Sequence, residues 1–185
     1  MNKNWYNILL HFMLVAFGLI IILLVKQNNE LRASQSEVSQ IENLKKGDTV
    51  KNINIIDSDS VNQSIDFKGA KKASLLYFFS VSCKHCKKNI TPWGDLYKDY
   101  KNKINIFPVC LDEIELTKNY ATVNKVTYPY YSVNEENFQS RFRIFAAPQT
   151  MLIDSNSTVI NTWIGELDAK DLAEIHLQLN KLQKK

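Results

Sequence analysis

The chain has 185 residues, 45% of them apolar and 23% charged, which suits one globular domain of roughly 100–150 residues plus an appendage. Its formal charge is only +4, with lysines scattered among acids, and this balance argues against a nucleic-acid partner. Three cysteines are too few for a disulfide-stapled scaffold.

Ile8 to Val25 is uncharged and rich in Leu, Ile, Val and Phe, preceded by Trp5 and Tyr6 and closed by Lys26. Such a run is long enough to span a bilayer. It exceeds the roughly 7–15 residues of a signal-peptide core, and Leu31-Arg32-Ala33 is only a faint cleavage site. Residues 1–26 are therefore expected to form an uncleaved signal anchor. Lys3 on one side, and Lys26 and Arg32 offset by Glu30 on the other, leave the orientation unset by charge. His11 falls near the N-terminal end of the span, within reach of headgroups, and is given no role. Residues 27–46 are polar and free of Pro and Gly, with Leu31, Val38, Ile41 and Leu44 spaced as in a helical stalk. The folded domain is then expected over 47–185.

Within that domain Ile53, Ile55 and Ile56 read as a strand, Asp57 to Ser60 as a turn and Ser64 to Phe67 as the return strand. Ala73 to Ser80 is a nearly continuous apolar run, the mark of a strand buried on both faces of a sheet. From Lys84 to about Lys101, the apolar residues Ile90, Trp93, Leu96, Tyr97 and Tyr100 recur at helical spacing, with Pro92 expected to kink the helix. Ile104 to Leu111 reads as a strand, Ile114 to Val123 as a helix, Tyr128 to Val133 as a short strand and Glu136 to Phe145 as a short helix. Thr150 to Asp154 and Thr158 to Trp163 flank a polar turn and form a hairpin. Asp168 caps a final amphipathic helix that runs to Leu182. Alternating helices and strands give an α/β fold with a sheet part parallel and part antiparallel.

Cys83 and Cys86 form a C-x-x-C between the buried strand and the helix that follows it. A thiol at a helix N-terminus meets unpaired backbone N–H groups, which favour the thiolate, so Cys83 is the expected nucleophile. Cys86, one turn on, can resolve a mixed disulfide on Cys83. Lys84, His85, Lys87 and Lys88 add positive charge around the thiolate, although each lysine alone reads equally well as part of a solvated basic face. A structural zinc site needs two further ligands. The remaining candidates, His11, His85, His176 and Cys110, are isolated, so no metal and no cofactor beyond the Cys83–Cys86 couple is expected. His176 reads as a partly exposed residue of the last helix. Cys110 reads as a buried free cysteine, with a third redox or metal thiol as the sharper alternative.

The arrangement resembles the membrane-tethered, thioredoxin-like thiol-disulfide oxidoreductases of the TlpA and ResA type. The resemblance covers about 44–185 and rests on four segments: Leu44-Lys45-Lys46-Gly47-Asp48, Phe67-Lys68-Gly69, Leu75 to Phe79 running into Ser82-Cys83-Lys84-His85-Cys86-Lys87-Lys88, and Ala147-Pro148-Gln149-Thr150-Met151-Leu152-Ile153-Asp154. It implies a thioredoxin-like fold, with a mixed central sheet flanked by helices, an N-terminal β-hairpin and a family-type insertion, preceded by one transmembrane helix. By the same resemblance Pro148 is a cis-proline facing the cysteines, and the backbone of Ala147 pairs with substrate. It further implies a single-pass protein of the bacterial cytoplasmic membrane, with its domain on the extracytoplasmic side. The clients would be thiol or disulfide proteins of the envelope, apocytochrome c among the candidates, and a membrane donor would supply electrons.

The chain departs from that pattern where the family carries acids. Tyr77 stands six residues before the first cysteine and Asn89 three after the second. Deprotonation of Cys86 then falls to water, His85, a residue elsewhere such as Glu166, or the helix field. The segment entering Cys83, Phe79-Ser80-Val81-Ser82, also lacks the usual tryptophan, which leaves the site more open or shaped for a different partner. His85, at the position before the second cysteine, resembles oxidising relatives, because an imidazole there favours the thiolate form. The scaffold favours a reductase. An oxidase or isomerase, a copper-handling protein and a domain that only binds partners are the competing readings.

Overall fold

The computed structural model describes residues 3–38 and 43–183. The chain divides into two units, 1–42 and 43–185. Among its described residues the first contains one helix, α1 (Lys3–Val38), in which His11–Asn29 is long and apolar enough to cross a membrane. Phe12, Met13, Leu14 and Val15 are consecutive and all exposed, so this stretch of the helix is apolar around its circumference. The stalk is helical as far as Val38, and residues 39–42 lie outside the described part.

The second unit begins earlier than residue 47. Leu44 is buried in its core, and the Thr162 hydroxyl donates to the Leu44 carbonyl at 2.8 Å, so the end of the expected stalk belongs to the domain. Seven strands follow: β1 (Ile53–Asp57), β2 (Asn62–Ile65), β3 (Ser74–Phe79), β4 (Asn105–Cys110), β5 (Tyr131–Val133), β6 (Gln149–Ile153) and β7 (Val159–Ile164). Interleaved with them are α2 (Lys84–Lys88), α3 (Ile90–Tyr100), α4 (Ile114–Val123), α5 (Phe138–Arg141) and α6 (Ala169–Leu182). The sheet order is β2-β1-β5-β4-β3-β6-β7, with β3, β4 and β5 parallel and the other pairings antiparallel.

All six residues of β3 are buried, as its unbroken apolar run requires. Because side chains alternate across a strand, Leu75, Tyr77 and Phe79 enter one core with Trp93 and Leu96 of α3 and Ile175 and Leu179 of α6. Leu76 and Phe78 enter the opposite core with Phe67, Phe138, Phe142 and Met151. Asp168 caps α6 through a full capping box with Asp171, which fixes where this cover begins.

Several elements differ from the pattern in the sequence. β2 starts at Asn62, ahead of Ser64, because Asp57 Oδ1 accepts the N–H groups of Asp59 and Val61 and closes the turn early. Phe67 then leaves the strand and packs in the core. β5 is confined to Tyr131–Val133, since Pro129 has no N–H to lend a ladder and Tyr128 packs in the core instead. The helix over Glu136 to Phe145 shrinks to α5, bounded by left-handed residues at Asn137 and Arg143. The bend expected from Pro92 falls at Asn89, where α2 ends and α3 begins, because the proline ring crowds the preceding turn and cannot donate to it.

The two edges of the sheet are finished differently. β2 has four residues and an exposed, polar Asn-Gln-Ser run. At the other edge the segment after Leu44 lies against β7: Gly47 N donates to Val159 O at 2.9 Å, Val159 N to Asp48 O at 2.8 Å and Val50 N to Ser157 O at 2.9 Å.

Candidate active site

The site forms where β3 ends and α2 begins. Cys83 is the N-cap of α2 in extended conformation, and its Sγ accepts the Cys86 N–H at 3.0 Å. The sulfurs of Cys83 and Cys86 are joined in a disulfide, with Cα atoms 5.3 Å apart. Cys83 is half-buried whereas Cys86 is only 1% exposed, so one sulfur faces solvent and the other the core.

Opposite the disulfide lies the Ala147–Pro148 bond, which is cis. Cys83 Sγ stands 3.4 Å from the Ala147 carbonyl oxygen, close enough for the reduced thiol to donate to it. The Pro148 carbonyl in turn accepts the Gly165 N–H at 2.8 Å, which ties the loop after β7 to this segment. Gly165 sits at φ +101°, a conformation that favours glycine.

Beneath Cys86 the environment is apolar and aromatic. Tyr77 stacks on Trp93 with ring centroids 4.7 Å apart and on Phe79 at 5.3 Å. A cavity of about 10 Å³ is lined by Tyr77, Phe79, Cys86, Ile90, Tyr120 and Tyr128, among others. Six residues before Cys83, the Tyr77 hydroxyl donates to the Cys86 carbonyl at 3.1 Å. Burial, followed by the nearby Tyr128 and Tyr120 phenols, pushes its ionisation far above the usual tyrosine range, so it is a donor and not a base.

Asn89, the other substituted position, is 1% exposed and satisfied on both sides of its amide. Its Nδ2 donates to Gly165 O at 3.3 Å, and its Oδ1 accepts Leu167 N–H at 2.9 Å. Between those two residues Glu166 contacts His85 Nδ1 and approaches Lys88 Nζ to 2.9 Å. Hydrogen bonds from Lys88 first, then from His85, hold the Glu166 carboxyl below its ordinary value. Lys84 and Lys87 are exposed on the same short helix.

Cys110 is fully buried at the end of β4, where burial pushes its thiol up to about 11. Its Sγ lies 3.6 Å from Asp112 Oδ2, which also accepts the Val81 N–H at 2.8 Å. Asp112 thereby fixes the loop that leads into Cys83, a role with no local signal, since the partners are 31 residues apart. His176 is part-buried and hydrogen-bonded to Tyr100 at 2.8 Å, on α6. Among the described residues no group of three or more His, Cys, Asp or Glu side chains is placed to hold a metal ion.

Residues 47–162 match the AhpC/TSA family model. The chain belongs to the AhpC/TSA family. Among relatives of this AhpC/TSA member are proteins named thiol-disulfide oxidoreductase ResA from two Bacillus cereus strains. One is 28% identical over 128 residues, spanning 68% of this chain and 73% of the relative, and the other is 26% identical over 161 residues, spanning 85% and 92%. The solution structure of a thiol:disulfide interchange protein from a Bacteroides species aligns with a TM-score of 0.62 at 23% identity, covering 74% of this chain and 91% of that one. The thioredoxin-like fold and the ResA-type kinship expected from the motifs thus both stand.

Proposed function

We propose that the chain is a membrane-tethered thiol-disulfide oxidoreductase that reduces protein disulfides outside the cytoplasm through Cys83 and Cys86. The observation that carries the reading is the half-buried Cys83 sulfur, linked to Cys86 at the start of α2 and set beside the cis Ala147–Pro148 bond. The names of the ResA relatives support the reaction class, and the apolar His11–Asn29 helix supports the tether.

In the reduced protein the Cys83 thiolate, favoured by the Cys86 N–H, attacks one sulfur of a client disulfide, and the other client sulfur leaves as a thiolate. Cys86, as thiolate, then attacks the Cys83 sulfur of the mixed disulfide. The second client sulfur leaves, and the protein is left as the Cys83–Cys86 disulfide. One disulfide has been reduced and one formed, so a membrane dithiol donor must restore the pair. Envelope proteins are the proposed clients, apocytochrome c among them, and the domain faces the extracytoplasmic side.

The test is turnover of a disulfide protein such as insulin by the detergent-solubilised full chain. Cys83→Ser abolishes turnover and Cys86→Ser accumulates mixed disulfides; full activity in Cys83→Ser would refute the reading. Direction is set by the reduction potential. A value of about −270 mV supports a reductase and one of about −120 mV an oxidase. A reporter fused to the C-terminus that is active only in the cytoplasm would overturn the orientation.

A further inference from the structure

α2 carries Lys84, His85, Lys87 and Lys88 within one five-residue helix and has no acid of its own. The lysine charges and an imidazole N–H there stabilise a thiolate at Cys83, which favours the reduced protein and drives the couple toward an oxidant. Glu166 meets two of these side chains. Its carboxylate contacts His85 Nδ1 and lies 2.9 Å from Lys88 Nζ, while Asn89 clamps the backbone on each side through Gly165 O and Leu167 N. Gly165 is held as well by Pro148, so the loop carrying Glu166 is fixed to both sides of the site. Its side chain is only one-third exposed, and its neighbour Leu167 is buried in the core.

This is the arrangement of a counter-charge and not of a proton carrier. Cys86 is sealed beneath the helix with apolar and aromatic neighbours, while the Glu166 carboxylate meets the Lys88 ammonium and the His85 imidazole on the exposed face. We infer that Glu166, positioned by Asn89, sets the redox balance of the Cys83/Cys86 couple by offsetting the cationic face of α2, and so keeps a histidine-bearing C-x-x-C reducing. The inference rests on the proposed thiol-disulfide chemistry and names a positioning residue for it.

The measurement is equilibration of the detergent-solubilised full chain with glutathione buffers. Two glutathione thiols are oxidised to one glutathione disulfide as the Cys83–Cys86 bond becomes two thiols. Glu166→Gln keeps the shape of the side chain and removes the charge. It is expected to shift the equilibrium constant toward the dithiol by roughly threefold, about 15 mV. Glu166→Asp is expected to retain most of the wild-type value. The difference between wild type and Glu166→Gln should shrink in about 1 M salt, because exposed charges are screened there. A shift that persists undiminished in high salt, or an equilibrium constant unchanged or moved toward the disulfide in Glu166→Gln, overturns the inference and leaves the proposed function intact. A wild-type chain with no reversible couple overturns both.

Discussion

The hydroxyl of Tyr77 donates to the Cys86 carbonyl oxygen at 3.1 Å, so β3 grips the helix that carries the disulfide from below. The same carbonyl also accepts the Asn89 N–H at 3.1 Å. Tyr77→Phe therefore leaves no orphaned acceptor and should lower stability by only about 0.5–1.5 kcal/mol, read by chemical denaturation. Turnover should persist, because a phenol held neutral by burial takes up no proton during exchange. Loss of turnover in a folded Tyr77→Phe protein would give the hydroxyl a chemical role.

Asn89→Ala removes both halves of the clamp on the Glu166 loop. The part-buried Gly165 O and the buried Leu167 N lose their bonds to the amide, and a cost of about 1–3 kcal/mol is expected. Limited proteolysis should then cut at 165–167 faster than in wild type. An unchanged cutting rate would show that the loop is held by its other contacts.

The pH dependence of stability should carry the mark of Glu166. Its folded value lies below the ordinary 4.5, so its contribution is fully present above that value and is lost as pH falls through the lowered one. Melting curves of wild type and Glu166→Gln, followed from pH 6 downward, should begin to approach each other below about pH 4.5 and meet only below the lowered folded value. A separation that stays constant down to pH 3 would contradict the ion pair.

Cys110 should be inert in the native protein. The thiolate is the reactive form, and this thiol is both fully buried and pushed up to about 11. After reduction, iodoacetamide at pH 8 should label Cys83 quickly and Cys110 only in denaturant, as followed by intact mass. Fast native labelling of Cys110 would revive its reading as a third redox thiol.

Local pattern carried much of this molecule into view. The unbroken run through Leu75 to Phe79 marks a strand buried on both faces, and Asp168 marks the start of α6, because burial and capping are short-range. The C-x-x-C between strand and helix likewise announces where Cys83 caps α2. What the sequence left unreadable depends on contacts between distant segments. Asn89 looks like a lost acid until the fold brings Gly165 and Leu167 to its amide, 76 and 78 residues away. The place of β5 between β1 and β4 has no local sign either, since it follows from pairings such as Ile56 with Ser132. Asp112 is similarly silent until Val81 comes back to it.

The finish of the two sheet edges bears on how the protein behaves at high local concentration. An edge strand with free N–H and C=O groups is a template on which another chain can polymerise, and a protein at high local concentration would meet its copies often. Here β2 is too short and too polar to nucleate such growth, and the segment Gly47 to Val50 already occupies the bonding groups of β7 around Val159. The residues that open the folded domain therefore also blunt one end of that edge against pairing with another chain.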